Sequence, residues 1–375
     1  MSRTITIAPV TRIEGHAAIT IHLDDAGQVA GARLHVHEFR GFESFCVGRP
    51  FWEMPAITAR ICGICPVSHA LAAAMAGDQI IGAALTPAAR NLRALLSLAQ
   101  LILSHSLSFF HLSLPDIVLG LDADPAERSI AGLARHSPEL IRKGIRLRQI
   151  GQEMVNRIAG GQLHPEFVVP GGMREPLSAE GRDALSALLP EALGLVRFAF
   201  GLWHEHKGRF QAEMGRWEDV PGLHLGLVGT DGRLDHYSGR LRFTDHAGAI
   251  VRELEPEAYA EAIRETAVND SYLKPTSCTC GGEEGLYRVG PLARLIVADF
   301  SSAPQASRER DILLSGKPVA TLSLGHHHAR LVEMLYAVER MGALLADPAV
   351  CDSHVLARAD VSRLEGVGVT EAPRG

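Results

Sequence analysis

Residues Arg60-Ile61-Cys62-Gly63-Ile64-Cys65-Pro66-Val67-Ser68-His69 gather most of the chemistry this chain can offer. Two thiols stand in a C-x-x-C spacing, and an imidazole follows one helical turn after the second. Thiolate and imidazole together suit zinc, nickel and iron. Pro66 fits the first position of a helix, where its missing N–H costs nothing, and the Ala/Leu/Ile-rich run from Val67 to Leu85 reads as that helix. Cys62 and Cys65 then lie in the turn feeding a helix N-terminus, where partial positive charge favours thiolate. Gly63 is expected to let the backbone turn tightly between the sulfurs, and Arg60 adds positive charge beside them.

Three chemistries fit that spacing. Half of a structural zinc site needs a second Cys/His pair at suitable spacing, and the sequence offers none. A thioredoxin-like dithiol needs a β-α-β context, whereas this pair lies between a hairpin and a long Ala-rich helix. A transition-metal site could take the pair as two of four thiolates, with His69 donating to a sulfur. Spacing alone leaves all three open.

Other reactive side chains read more blandly by themselves. Glu14, within Arg12-Ile13-Glu14-Gly15-His16, falls in a turn between strands and reads as a solvated carboxylate. Glu43, within Phe39-Arg40-Gly41-Phe42-Glu43, sits in a loop anchored by phenylalanines. Cys46 reads as a small core residue. Cys278 and Cys280 read as incidental loop cysteines, His105 and His111 as satisfied core histidines, and His326-His327-His328 as a solvated turn.

The elements that must position these groups follow from pattern. Ala17 to Leu23 and Gln28 to Phe39 alternate around Asp24-Asp25-Ala26-Gly27, a hairpin signal. Helical periodicity dominates from residue 51 to about 215. Thr86 caps a helix with Pro87 at its first position, and that helix carries Leu92, Leu95, Leu96, Ala99 and Ile102. A further helix is expected from Asp124 or Pro125 through Ile158, and another from Ser178 to Trp217. Short strands follow over 223–254, and Ala329 to Leu345 is an amphipathic helix. The expected class is mainly α with small β portions (α+β), a long-helix core beside an N-terminal hairpin sheet. The expected segments are 1–48, 49–217, 218–300 and 301–375, within one continuous domain.

Composition narrows the function classes. The chain has 375 residues, 46% hydrophobic, with net charge −6, so it buries a large core and is not disordered. No basic stripe suggests nucleic acid. The N-terminus lacks the apolar core of a secretion signal. The uncharged stretch Ala94 to Pro115 carries Gln100, His105 and His111, which lipid would penalise, so a buried helix is expected rather than a membrane span. Six irregularly spaced cysteines argue against a disulfide framework. A cytoplasmic protein is the expectation.

Five motifs then stand in a telling order: RIEGH at 12–16, FRGFE at 39–43, RICGICPVSHALA at 60–72, YRVGPLAR at 287–294 and GVGVTEAPRG at 366–375. In this the chain resembles large, catalytic subunits of nickel–iron hydrogenases, most closely the soluble NAD(P)-reducing branch. The resemblance implies that Cys62 is a terminal nickel ligand and Cys65 bridges nickel and iron. It implies that His69 hydrogen-bonds a bridging sulfur, that Glu14 relays protons, and that Glu43 binds a remote magnesium ion. Arg374 would hang over the open nickel–iron position. It further implies iron carrying carbon monoxide and cyanide, maturation factors that install them, an iron–sulfur small subunit, and diaphorase subunits with flavin. Alternatives are a soluble branch using a deazaflavin or ferredoxin partner, and an inactive scaffold related to the quinone-site subunit of complex I; that subunit lacks the paired thiolates. Two departures stand out. The family's second C-x-x-C is missing before Gly375, so the chain reads as cut short and, alone, as inactive. Ser104 stands where many relatives outside this branch carry aspartate.

Overall fold

A computed structural model describes residues 3–160, 167–210, 222–280, 285–315 and 324–375. The helices that carry the C-x-x-C start where the capping chemistry says they should. Helix α1 (Pro66–Ile81) has its proline at the first position and ends at Gly82, which takes the left-handed conformation at φ 63°. Helix α2 (Pro87–Ser106) begins at Thr86, whose hydroxyl accepts from the Ala89 amide. Leu92, Leu95, Leu96, Ala99 and Ile102 are all fully buried, as their spacing requires. A π-helical turn over Leu107–Ser113 continues α2 into a short helix ending at Leu119.

Two helical stretches, Pro87–Leu119 and Ala179–Phe210, are long and apolar enough to cross a membrane. Of the first one's apolar window, 72% is buried inside the protein, so it is a core helix, as expected for Ala94 to Pro115. The corresponding share for the second is 33%.

Helix α3 (Pro138–Ala159) packs closely on α2. A Cβ at Gly151 would lie 2.8 Å from the Leu103 backbone nitrogen, so only glycine permits this approach. The helix expected from Asp124 is instead a turn over 124–129, a short helix Ile130–His136 and α3. Pro138 explains the break, because it cannot continue the preceding helix. Helix α4 (Ala179–His206) is capped by the Ser178 hydroxyl; the expected extension to Trp217 runs outside the described residues after Phe210. Helix α5 (Pro291–Val297), helix α6 (Pro304–Leu314) and helix α7 (Gly325–Leu345) complete the set used below.

The histidine run is not a solvated turn. His326, His327 and His328 form the first turn of α7, with His328 only 3% exposed. The imidazoles of His327 and His328 pack edge-on or tilted against Phe200, Trp203 and His204 of α4. Burial pushes His326 down to about 4, and His327 and His328 to about 3. Charge counting by sequence treats imidazoles as polar, whereas a neutral ring packs as an aromatic.

The chain divides into two compact units, 1–48 with 260–286, and 49–259 with 287–375. In the smaller unit, strands β1 (Arg3–Ile7), β2 (Ala17–Leu23) and β3 (Val29–Val36) form an antiparallel sheet in sequence order. The expected hairpin turn is there, with Asp24 Oδ1 accepting from the amides of Ala26 and Gln28. Residues 260–286 join this unit through Tyr272 N–H donating to Val36 O and an Arg33–Asp270 ion pair. Cys278 ends a short strand there and is buried. Cys46 is partly exposed on the one-turn helix Phe42–Cys46, not a core residue, because that helix buries none of its side chains.

In the larger unit a four-stranded sheet runs in the order β7-β4-β5-β6, with β4 (Leu223–Val228), β5 (Arg240–Thr244), β6 (Ile250–Leu254) and β7 (Tyr287–Arg288). Only the β7–β4 pairing is parallel. The whole is mainly helical with small sheets, the α+β class expected. A buried ion pair ties α1 to α2: Arg93 Nη1 donates to Asp78 Oδ2 at 2.6 Å, and Nη2 donates to Val169 O at 2.8 Å.

Candidate metal centre

Cys62 follows a 3-10 turn over Ala59–Ile61, and Cys65 is the residue before the first turn of α1. Gly63 does not adopt a positive φ, and a Cβ there would meet nothing within 4 Å, so the turn does not require glycine. One turn into α1, His69 returns toward the sulfurs. The donor atoms of Cys62, Cys65 and His69 all lie within 4.8 Å of one another. No other three His, Cys, Asp or Glu side chains gather in this way among the described residues.

The Cys62 thiol is pulled down to about 3. A hydrogen bond from Cys65 is the largest cause; burial opposes it, and His69 and the amides of Ile64 and Cys65 add to it. A thiolate that accepts this many donors at a helix start is the form that binds metal. The first turn of α1 is held from α2. Gln100 Oε1 accepts from the Val67 amide at 3.0 Å, and Gln100 Nε2 donates to Ser68 Oγ at 2.5 Å. Gln100 and Ser68 are both buried, so this cap is fixed by packing. The sequence offered one hint of it, an amide side chain inside the uncharged stretch Ala94 to Pro115.

Arg374 reaches the same place from the far end of the chain. Its Nη1 donates to Ser104 Oγ at 2.9 Å, and its Nη2 lies 3.9 Å from Cys62 Sγ. The segment before it lies flat on α1. A Cβ at Gly366 would sit 2.1 Å from Ala76 O, and one at Gly368 would sit 1.9 Å from Ala72 O. Val367 N–H donates to Gln79 Oε1, while Thr370 Oγ1 and the Glu371 amide donate to His236 O. Arg294, fully buried, donates from Nε and Nη2 to Glu333, and from Nη1 to Glu371 and Ala372 O. Pattern reading placed Arg294 in a motif but gave it no role.

The smaller unit holds the other two candidates. Glu14 is exposed in a bend. Glu43 is exposed too, and Arg40 Nε donates to it at 2.5 Å. The Arg40 guanidinium, with Lys274 further off, lowers the Glu43 carboxyl. A carboxylate already engaged by Arg40, with Lys274 as its other charged neighbour, does not fit a magnesium site.

The centre does fit a soft transition metal by its donor set: two thiols, one already ionised, an imidazole beside them and a cation over one sulfur. Such a helix-start cysteine pair on a long-helix core suits a metal-dependent oxidoreductase subunit. Comparison carries this further. The nickel-dependent hydrogenase family profile matches residues 40–168, and a HoxL-like profile matches residues 4–39. The chain is 41% identical to one chain of the vhu F420-non-reducing hydrogenase of Methanococcus voltae, over 99% of this chain and 89% of that one. It is 38% identical to the NAD-reducing hydrogenase HoxS subunit beta of Cupriavidus necator, over 100% of this chain and 80% of that one. A crystal structure of an NAD+-reducing [NiFe]-hydrogenase in the H2-reduced state superposes with a TM-score of 0.94 at 41% identity, covering 99% of this chain and 83% of that one. The chain belongs to the nickel-dependent hydrogenase large-subunit family. It is a hydrogenase catalytic subunit, an oxidoreductase acting on dihydrogen.

Proposed function

We propose that this protein serves reversible heterolytic cleavage of dihydrogen, with electrons leaving through an iron–sulfur small subunit and flavin-bearing diaphorase subunits to NAD(P). The observation that carries the reading is the Cys62–Cys65–His69 cluster beneath the Arg374 guanidinium. Cys62 and Cys65 would hold a nickel–iron centre, the iron bearing carbon monoxide and cyanide, assembled by maturation factors in the cytoplasm. That centre, when bound, supplies the redox chemistry that splits dihydrogen into hydride and proton equivalents. The rest falls to side chains. His69 lies close enough to donate to a thiolate sulfur, tempering its charge. Arg374 holds fixed positive charge where charge separates. Glu14, exposed and acceptor-competent, takes or returns the proton. The NAD(P) acceptor is supported by the 0.94 TM-score to the NAD+-reducing structure.

A second acceptor class is favoured by the 41% identity to the Methanococcus voltae protein, which is named for a hydrogenase that does not reduce F420. Acceptor assays on the purified complex separate the two: hydrogen-dependent reduction of NAD(P)+ supports the first, and its absence alongside viologen reduction supports the second. For the site, Cys65→Ala is expected to remove nickel from the matured complex; unchanged nickel would end the ligand assignment. Glu14→Gln is expected to suppress hydrogen/deuterium exchange by at least about tenfold with metal content kept. Normal exchange in that variant refutes the relay.

A further inference from the structure

Arg294 uses every N–H it has. Nε and Nη2 donate to the two oxygens of Glu333 at 2.6 and 2.8 Å. Nη1 donates to Glu371 Oε2 at 2.8 Å and to Ala372 O at 3.0 Å. Nη2 also donates to Pro373 O at 2.9 Å. Three of its five acceptors therefore belong to the residues immediately before Arg374. Only a planar five-donor fork can hold a carboxylate and two successive carbonyls together while pairing a second carboxylate, and lysine cannot.

The other end of the same network holds the acceptor of Arg374. Glu333 Oε2 lies 2.7 Å from His105 Nε2. As an ionised carboxylate only accepts, the imidazole donates through Nε2. Burial takes His105 down to about 4, so it is neutral. Burial opposes ionisation of Glu333 as well, but Arg294 overcomes it and holds the carboxyl well below its usual range. His105 stands next to Ser104 on α2, and Ser104 Oγ accepts from Arg374 Nη1. Arg374 is thus tied on both sides to Glu333 of α7: through its own backbone by Arg294, and through its hydroxyl partner by His105. Arg294, Glu333 and His105 are each 0% exposed, so this part of the network is dry, while Arg374 at its end is exposed.

We propose that Arg294 is a positioning residue for the hydrogenase reaction, setting where the Arg374 guanidinium stands over Cys62 by clamping Glu371, Ala372 and Pro373 against Glu333. This rests on the reading of Arg374 given above. A buried fork is rigid because losing one donor leaves a buried charge unpaired. A shift of about 1 Å in a catalytic group costs about a hundredfold in rate.

The test is a double-mutant cycle in the matured complex, reading hydrogen/deuterium exchange and nickel per chain. Arg294→Lys is expected to lower the exchange rate about a hundredfold, through kcat rather than KM, with nickel unchanged. In an Arg374→Lys background the same substitution is expected to change the rate less than about twofold, because the group it positions is already altered. Additive losses would overturn the proposal. If Arg294→Lys does not fold, Glu371→Gln enters the same cycle; it keeps the Oε1 acceptor of the Leu227 amide and puts an amide NH2 where Oε2 accepted from Arg294, so it loses both that hydrogen bond and the charge. A second readout needs no metal. In the metal-free chain, amide exchange of residues 371–375 is expected to quicken at least about tenfold in Arg294→Lys, with α1 unaffected. Unchanged exchange there overturns the clamp. An unmutated complex without hydrogen/deuterium exchange would instead sink the function reading and leave the clamp standing on the amide data.

Discussion

Arg374 Nη2 stands 3.9 Å from Cys62 Sγ although the two residues are 312 positions apart in the chain. The contact is held by Ser104, which accepts from the other guanidinium nitrogen at 2.9 Å. Among the described residues a neutral hydroxyl, not a carboxylate, holds the fork, so its charge is left to face the sulfur.

From this, Arg374→Ala is expected to lower hydrogen/deuterium exchange by about two orders of magnitude while the complex keeps its nickel. Arg374→Lys should recover part of the loss, since it restores a charge without the fork. Rate and metal content measured on the same preparations check both. Unchanged rates would remove Arg374 from the site.

Cys62 carries a second expectation. Its thiol is pulled from 9.0 to about 3, so the thiolate persists across ordinary pH. The sign follows: the stabilisation that the depressed thiol brings is full above about pH 9, shrinks steadily as pH falls below that, and is gone near pH 3. In the metal-free chain, alkylation of Cys62 should run at a nearly constant rate from pH 8 to pH 5. A rate that falls tenfold per pH step below 8 would show an ordinary thiol.

The histidines at the start of α7 make the fold acid-sensitive. His326, His327 and His328 are pushed from 6.5 to about 4, 3 and 3, and His105 to about 4. Between those values and 6.5 the unfolded chain binds the protons that the folded chain refuses. Stability is therefore greatest above about pH 6.5 and lost as pH falls through 6 toward 4. Urea midpoints measured at pH 7.5, 6 and 5 should fall in that order. His328→Phe, which keeps an aromatic ring against Phe200 and His204, should flatten the trend.

Gly368 tests the seating of the tail. A Cβ there would stand 1.9 Å from Ala72 O and 2.8 Å from Ala76 N, both backbone atoms of α1. Neither can swing aside, so Gly368→Ala should cost about 3 kcal/mol by denaturant midpoint and lift the segment leading to Arg374. A stability change below about 0.5 kcal/mol would show that the tail is not held by this close approach.

Much of the centre was legible in the chain itself. Helix-start proline, thiol spacing and one-turn histidine are local signals, and local geometry follows from neighbouring residues. Cys62, Cys65 and His69 do come together, and Thr86, Pro87 and Ser178 begin helices where their chemistry places them. Local signals failed where burial decides. His327 and His328 look polar in a sequence, yet tertiary packing sets their rings against Phe200, Trp203 and His204. The long helix read from Asp124 broke at Pro138.

By itself, then, the sequence determined which side chains could ionise, cap or bind, because those properties belong to residues and their near neighbours. Only the tertiary structure decided that Gln100 caps α1, that Ser104 holds Arg374, and that Arg294 gives three of its five hydrogen bonds to the tail and two to Glu333. Each of those joins groups far apart in the chain, and such pairings arise only when packing excludes water and leaves each buried donor to find its acceptor.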